Sequence, residues 1–334
     1  MSGTKFDVLG LGNAIVDVIS RTDDDFLAAR NLRKGSMQLI DEAAAQSLYE
    51  SMGPATIVSG GSAANTIIGV ASLGGAGAFI GKLKADEAGR AFAHDIRAAK
   101  VAFSTAFAED GPASGRCLVL VTPDGQRTMS TFLGACQHLN EEDIDEEAVK
   151  NSSIVYLEGY LWDPPAAKSA LARAAKIARA AGRRVALTLS DSFCVDRYRD
   201  EFLGLVRSGS VQILFANESE LHALYQTADF ATAIDQLRAE NILAAVTRSE
   251  RGSVVVTKDE VLAVPAFPVD AVVDTTGAGD LFAAGFLAAL AKGKNLEFCA
   301  RLGALAASEI IQHIGARPMT DLARLAAQNG CSYR

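Results

Sequence analysis

At 334 residues, 49% of them hydrophobic, the chain is long and apolar enough for one large α/β domain with a smaller element beside it. Its formal net charge of −8 argues against a broad nucleic-acid or membrane footprint, while leaving room for a local basic pocket. Five scattered cysteines without a C-x-x-C pair speak against a zinc cluster. With no leader pattern and no run of ~18 apolar residues, they point to reduced thiols in a cytoplasm.

Phe6, Val8, Leu9 and Leu11 form an apolar run that ends at Gly12, read as a buried strand and a turn. Gly10-Leu11-Gly12 lacks the third glycine of a dinucleotide fingerprint. Ile15-Val16-Asp17-Val18-Ile19 then alternates as a second strand instead of starting a helix, which weighs against a Rossmann dehydrogenase. Asp23-Asp24-Asp25-Phe26-Leu27 begins a short capped helix, Met37-Gln38-Leu39-Ile40 is a strand, and Asp41 to Met52 is helical. Thr56-Ile57-Val58, the loop Ser59-Gly60-Gly61-Ser62, an apolar helix from Ala63 to Leu73 and Ala78-Phe79-Ile80 read as a β-loop-α-β unit of a mostly parallel sheet.

An amphipathic helix spans Asp86 to Lys100. Two strands then flank Thr122-Pro123-Asp124-Gly125-Gln126, whose Asp-Gly pair signals a hairpin. With the strands at 15–20 and 36–40 this hairpin is expected to form a separate small sheet. From Asp143 onward strands and helices alternate regularly, with a loop from Ser190 to Asp196 before a helix at Tyr198. The stretch 281–291 is apolar on nearly all faces and should be buried. Gly303, Ala304, Ala306 and Ala307 in the helix after it permit close packing on a neighbour.

The chemistry concentrates at Asp274-Thr275-Thr276-Gly277-Ala278-Gly279-Asp280, a glycine turn that runs straight into the apolar helix. Free N–H groups at a helix start, aided by its dipole, make an anion site. An acid beside such a site makes sense if a hydroxyl must lose its proton where negative charge gathers, as in phosphoryl transfer to an alcohol. On these seven residues alone, a plain helix start capped by an acid is an equal reading. No Walker loop occurs in the chain.

The stretch, with Ala283-Ala284-Gly285 behind it, resembles the C-terminal signature of the ribokinase family, the PfkB-type carbohydrate and nucleoside kinases. Gly60-Gly61-Ser62-Ala63-Ala64-Asn65 followed by Leu73-Gly74-Gly75 is similar to the family's N-terminal signature, although by itself it also reads as a turn and helix start. Gly12-Asn13-Ala14-Ile15-Val16-Asp17 and Asn217-Glu218-Ser219-Glu220 match two further family motifs. An exposed edge strand and a capped helix would account for them equally.

The resemblance covers nearly the whole chain, from Asn13 to about Pro318, and implies a fold, a domain division and a set of residue roles. The fold is a ribokinase-like three-layer α/β/α arrangement with a mostly parallel central sheet and a small β-sheet lid. Residues 1–13, 41–103 and 138–334 form the large domain, and 14–40 with 104–137 the discontinuous lid. Asp280 is the base, the Gly277, Ala278 and Gly279 amides the oxyanion cradle, and Arg127 leans over the transferred phosphate. Asn13, Asp17, Gln38, Gly60, Gly61, Ser62, Asn65 and Tyr160 bind the acceptor, with Leu161 and Trp162 as a further flat wall. Asn217, Thr247, Gly252, Gly277 and Gly279 hold ATP, Glu220 positions Mg²⁺ through water, and Asp274 and Thr276 are the residues for a monovalent cation such as K⁺. Arg248 and Arg251 depart from the family pattern.

The same resemblance implies an ATP-dependent kinase acting on a primary hydroxyl of a nucleoside, with adenosine the leading acceptor. A ribose- or fructose-type sugar, or a nucleotide-binding regulator without turnover, are the alternatives. Partners are small molecules only, and the chain is a monomer or homodimer.

Overall fold

The computed structural model describes residues 4–332. Its strands in chain order are β1 (Phe6–Leu11), β2 (Ile15–Arg21), β3 (Met37–Leu39), β4 (Ala55–Ser59), β5 (Gly77–Ile80), β6 (Ala102–Phe103), β7 (Gly115–Val121), β8 (Arg127–Phe132), β9 (Ser152–Glu158), β10 (Arg184–Thr188), β11 (Ile213–Asn217), β12 (Leu243–Thr247), β13 (Ser253–Val256) and β14 (Val261–Val264). A large sheet runs in the order β14-β13-β12-β11-β10-β9-β1-β5-β6. Every pairing from β6 across to β12 is parallel, and β12, β13 and β14 close the far edge as an antiparallel meander.

The parallel strands are mostly apolar in their interiors because both faces are covered, and polar residues such as Glu158, Asn217 and Thr247 stand at their ends. Val8 of β1 and Tyr156 of β9 point into one helical layer, while Leu9, Leu11, Val155 and Leu157 point into the other. The first layer contains Ser62–Ser72, Glu87–Ala98, Ala278–Ala291, Leu296–Ile310 and Leu322–Gln328. The second contains Glu146–Lys150, Pro165–Ala180, Ser192–Arg207, Glu218–Tyr225 and Phe230–Ala239. Helix Ala278–Ala291 buries every residue from Leu281 to Leu290 between its neighbours. Small residues let it approach them: a Cβ added at Gly69 would lie 2.6 Å from the Ala284 Cβ, and one at Gly303 would lie 2.7 Å from the Phe282 carbonyl oxygen.

A second sheet runs β3-β8-β7-β2-β4, with the β7–β8 hairpin turning at Thr122 to Gln126 as the Asp-Gly signal suggested. One face packs Val18, Leu118 and Leu120 against Leu27, Ala45 and Leu48 of helices Asp24–Ala29 and Glu42–Ser51. The other face carries Asp17 and Cys117, directly opposite each other in register.

Three expectations change. β4 does not belong to the large parallel sheet: it pairs antiparallel with β2, Val16 facing Ser59. A run of β-formers reads alike in either sheet, and the exposure of Ala55, Thr56 and Ile57 marks β4 as an edge strand. Helix Glu42–Ser51 and β4 therefore stand with the smaller sheet, not with the large one as a boundary at residue 41 implied. The loop expected from Ser190 to Asp196 is shorter, because Asp191 caps a helix from Ser192 by accepting from the Cys194 amide at 2.6 Å. That helix kinks at Tyr198, where the sequence pattern had placed its start.

Candidate active site

In an open parallel sheet, ligands bind beyond the carboxyl ends of the strands. At that edge the chain places Asn13 just after β1, Glu158 at the end of β9, Ser190 after β10, Asn217 ending β11 and Thr247 ending β12. Register puts Asn217 directly beside Thr247. The amino ends of helices Ser62–Ser72 and Ala278–Ala291 reach the same place, as the Ser62–Asp280 contact requires.

Asp280 lies in the first turn of its helix, half-buried. Its Oδ1 accepts from Ser62 Oγ at 2.6 Å and its Oδ2 from Asn65 Nδ2 at 2.9 Å. Burial raises the carboxyl above its ordinary range, opposed by those two hydrogen bonds and by the Arg317 charge. Before it, Gly277 adopts φ +79 as the helix cap, a left-handed conformation that glycine takes without strain. The Ala278 amide turns back onto the Thr275 carbonyl at 3.2 Å. Among the described residues the Gly277, Gly279 and Asp280 amides have no acceptor, and a Cβ at Gly279 would meet open space. The donors available to an anion are thus Gly277, Gly279 and Asp280, with Ala278 drawn into the turn.

Asp17 on β2 is half-buried and accepts no hydrogen bond from another described residue. Burial pushes its carboxyl up to about 6, against the pull of Arg317 and Arg127. Gly60 lies so close that a Cβ there would overlap the Asp17 carboxylate. Gly61, at φ +94, lies against the Asn13 carbonyl.

Asn13 is held by Glu158, which accepts from its Nδ2 at 2.7 Å and its amide at 3.3 Å while also taking the Ala63 amide at 2.9 Å. Glu158 is 1% exposed, and burial pushes it up to about 7. It escaped the sequence reading as a site residue, although a lone acid closing the apolar run Ile154 to Leu157 was the available signal.

Arg127 ends the hairpin turn and reaches across to the glycine loop. Its Nη1 donates to Thr276 Oγ1 at 2.9 Å, and its Nη2 pairs with the Asp274 carboxylate, both side chains being under 10% exposed. Asp274 also accepts from the Thr276 amide through Oδ1 and the Gly315 amide through Oδ2, each at 3.0 Å. A carboxylate already neutralised by a guanidinium has little left for K⁺, so this donor set does not fit the monovalent cation expected at Asp274 and Thr276.

At the other end of the edge, Asn217 and Glu220 form a reciprocal capping box. Glu220 Oε1 accepts from Asn217 Nδ2 at 2.6 Å, Oε2 from the Asn217 amide at 3.0 Å, and Asn217 Oδ1 from the Glu220 amide at 2.9 Å. Burial raises Glu220 to about 7. No group of three or more His, Cys, Asp or Glu side chains able to hold a metal occurs among the described residues. One oriented carboxylate suits Mg²⁺, which takes most of its ligands from phosphate and water. Gly252 turns the chain at φ +81 after Thr247. Arg248 and Arg251 both pair with Glu218, and Arg248 stacks 3.6 Å from the Phe230 ring centroid.

Three expected residues lie elsewhere. Gln38 pairs with Ser130 in register, and successive strand residues alternate faces. That sets Gln38 on the face packed against helices, opposite to Asp17. Met37 and Leu39 share the Asp17 face instead, 43% and 56% exposed. Leu161 and Trp162 are core residues, with Trp162 Nε1 donating to Glu201 at 2.9 Å. Tyr160 stays at the edge, its hydroxyl donating to the Ser190 carbonyl at 3.3 Å.

A second unforeseen residue is Arg317. It donates to the Ser59 carbonyl at 2.7 Å, the Ala64 carbonyl at 3.1 Å, Ser59 Oγ at 3.3 Å and the Gly60 carbonyl at 3.4 Å. More than 250 residues separate it from these partners, and no local pattern signals the contact.

The family model "pfkB family carbohydrate kinase" matches residues 38–322. The fold superposes on adenosine kinase from Sinorhizobium meliloti with a TM-score of 0.92 and 54% identity, covering 97% of this chain and 99% of that one. A probable sugar kinase from Rhizobium etli CFN 42 gives a TM-score of 0.94 and 52% identity, covering 98% and 99%. Adenosine kinase from Saccharomyces cerevisiae is 27% identical over 328 residues, 91% of this chain and 94% of its own length.

Proposed function

The chain belongs to the pfkB family of carbohydrate kinases and is a phosphotransferase with an alcohol acceptor; we propose that it moves the γ-phosphoryl of ATP to the primary hydroxyl of a nucleoside, adenosine foremost. The observation that carries this reading is the pairing of Asp280, oriented by Ser62 and Asn65, with unspent amides at the same helix tip.

The acceptor lies on the Gly60-Gly61 backbone with Asp17 taking its ring hydroxyls. Asp280 accepts the proton of the attacking hydroxyl as the new O–P bond forms and the bond to ADP breaks. The charge gathering on the transferred group meets the Gly277 and Gly279 amides and the Asp280 amide, a set fixed before reaction. Arg127, from the smaller sheet, brings a guanidinium to that loop. Mg²⁺, when bound, neutralises phosphate charge, and Glu220 with Asn217 would hold its waters. The smaller sheet acts as a lid that excludes water and suppresses hydrolysis of ATP.

Exposed Met37 and Leu39 on the Asp17 face favour a nucleoside over a free sugar. A purine needs an apolar cover, and a sugar does not. ADP release with adenosine, ribose or fructose as the added alcohol tests the reading. Stimulation by adenosine above the sugars is expected. A preference for either sugar replaces the acceptor, and no stimulation by any alcohol leaves a nucleotide-binding regulator.

A further inference from the structure

We propose that Arg317 is a positioning residue for the transfer, clamping the Gly60-Gly61 loop from the carboxyl-terminal side and supplying a fixed positive charge to Asp17 and Asp280 together. The inference rests on the kinase reading above and adds a residue outside both glycine signatures.

Arg317 lies in the segment after helix Leu296–Ile310, a fork of donors aimed at backbone carbonyls. A guanidinium is planar, always charged and rigid in its donor geometry, so its hydrogen bonds fix the loop that the acceptor rests on. Its neighbour Ala316 packs under Gly277, where an added Cβ would lie 2.9 Å from the Ala316 Cβ. One short segment thus braces both the acceptor loop and the anion loop.

The charges make a balanced set. Asp280 is faced by Ser62 and Asn65 from helix Ser62–Ser72 and by Arg317. Asp17 on β2 feels Arg317, Arg127 from β8 and the Asp280 charge. Glu158 and Tyr156 on β9 and Glu220 on helix Glu218–Tyr225 lie within the field of Asp280, and the Asp95 charge on helix Glu87–Ala98 acts on Arg317. Arg317 is the cation felt by both cleft carboxylates, whereas Arg127, paired with Asp274, acts on Asp17 alone of the two. Without it, Asp280 would hold its proton to higher pH and could not receive another.

The test compares R317Q and R317K with the wild type in adenosine-dependent ADP release as a function of pH. R317Q is expected to move the acid limb of kcat/KM upward by about one pH unit, the lower end of the shift a close opposite charge produces. R317K keeps the charge but loses the fork, so its limb stays in place while the adenosine KM rises severalfold. Superimposable limbs for R317Q and wild type overturn the proposal. If R317Q fails to fold, R317K decides alone, and a displaced limb or unchanged KM in that variant overturns it. A wild type that turns over with no alcohol would instead sink the kinase reading.

Discussion

Asn65 Nδ2 donates to Asp280 Oδ2 at 2.9 Å across 215 residues of sequence, while the Asn65 Oδ1 is buried with no partner. A buried acceptor left unpaired costs about 1–3 kcal/mol, so a fold keeps one where a ligand completes it. The amide of Asn65 thus orients the base with one end and offers the other to a donor that the protein itself lacks, such as an acceptor hydroxyl.

Replacing Asn65 by Ala removes both contacts. The adenosine KM should rise about 2- to 10-fold, the equivalent of one neutral hydrogen bond, with thermal stability little changed because the orphan acceptor goes too. Steady-state kinetics alongside a melting curve checks this, and an unaltered KM contradicts it.

The raised carboxyl of Asp280 sets the pH response. Only the ionised form accepts a proton, so kcat/KM should fall as pH drops, with an acid limb above the ordinary aspartate value of about 4. Asp17, pushed up to about 6, titrates nearby, so the limb belongs to the pair. Ser62→Ala removes a hydrogen bond that favours the charged form and should move the limb further up. A limb near pH 4 in the wild type would contradict the burial argument.

Arg127 joins the smaller sheet to the anion loop. Arg127→Met should lower kcat by ~10²–10³, the range for losing one preorganised charge-stabilising donor, with a smaller effect on adenosine binding. Equilibrium binding and single-turnover rates separate the two. A loss confined to adenosine affinity would place Arg127 with the acceptor instead.

Glu158, 1% exposed and pushed up to about 7, predicts a pH-dependent stability. Its folded form holds a proton that the unfolded chain has already released near its ordinary value of about 4.3, so stability is full below that value and is lost as pH rises through about 7. Glu220 adds to the same slope. Melting temperature of the ligand-free protein should fall between those limits, and Glu158→Gln should flatten the decline. Equal slopes for both proteins would contradict this.

Much of this was legible in local pattern. The Asp-Gly hairpin, the alternation of β2 and the glycine turn before an apolar helix are short-range signals, and the structure realises each of them. What escaped depends on tertiary choice. β4 looks like any apolar strand until β2 pairs with it, and the face of Gln38 depends on register with Ser130. Trp162 had the chemistry of a stacking wall but not the position, since its loop folds into the second helical layer. Glu158 and Arg317 act through neighbours remote in sequence, which spacing cannot reveal.

The account turns on one carboxylate. Adenosine-dependent ADP formation by Asp280→Asn, measured beside its adenosine affinity, tests it most directly. Turnover should fall by ~10²–10⁴ with adenosine still bound, the range for losing a positioned general base. Turnover equal to that of the wild type would contradict the mechanism.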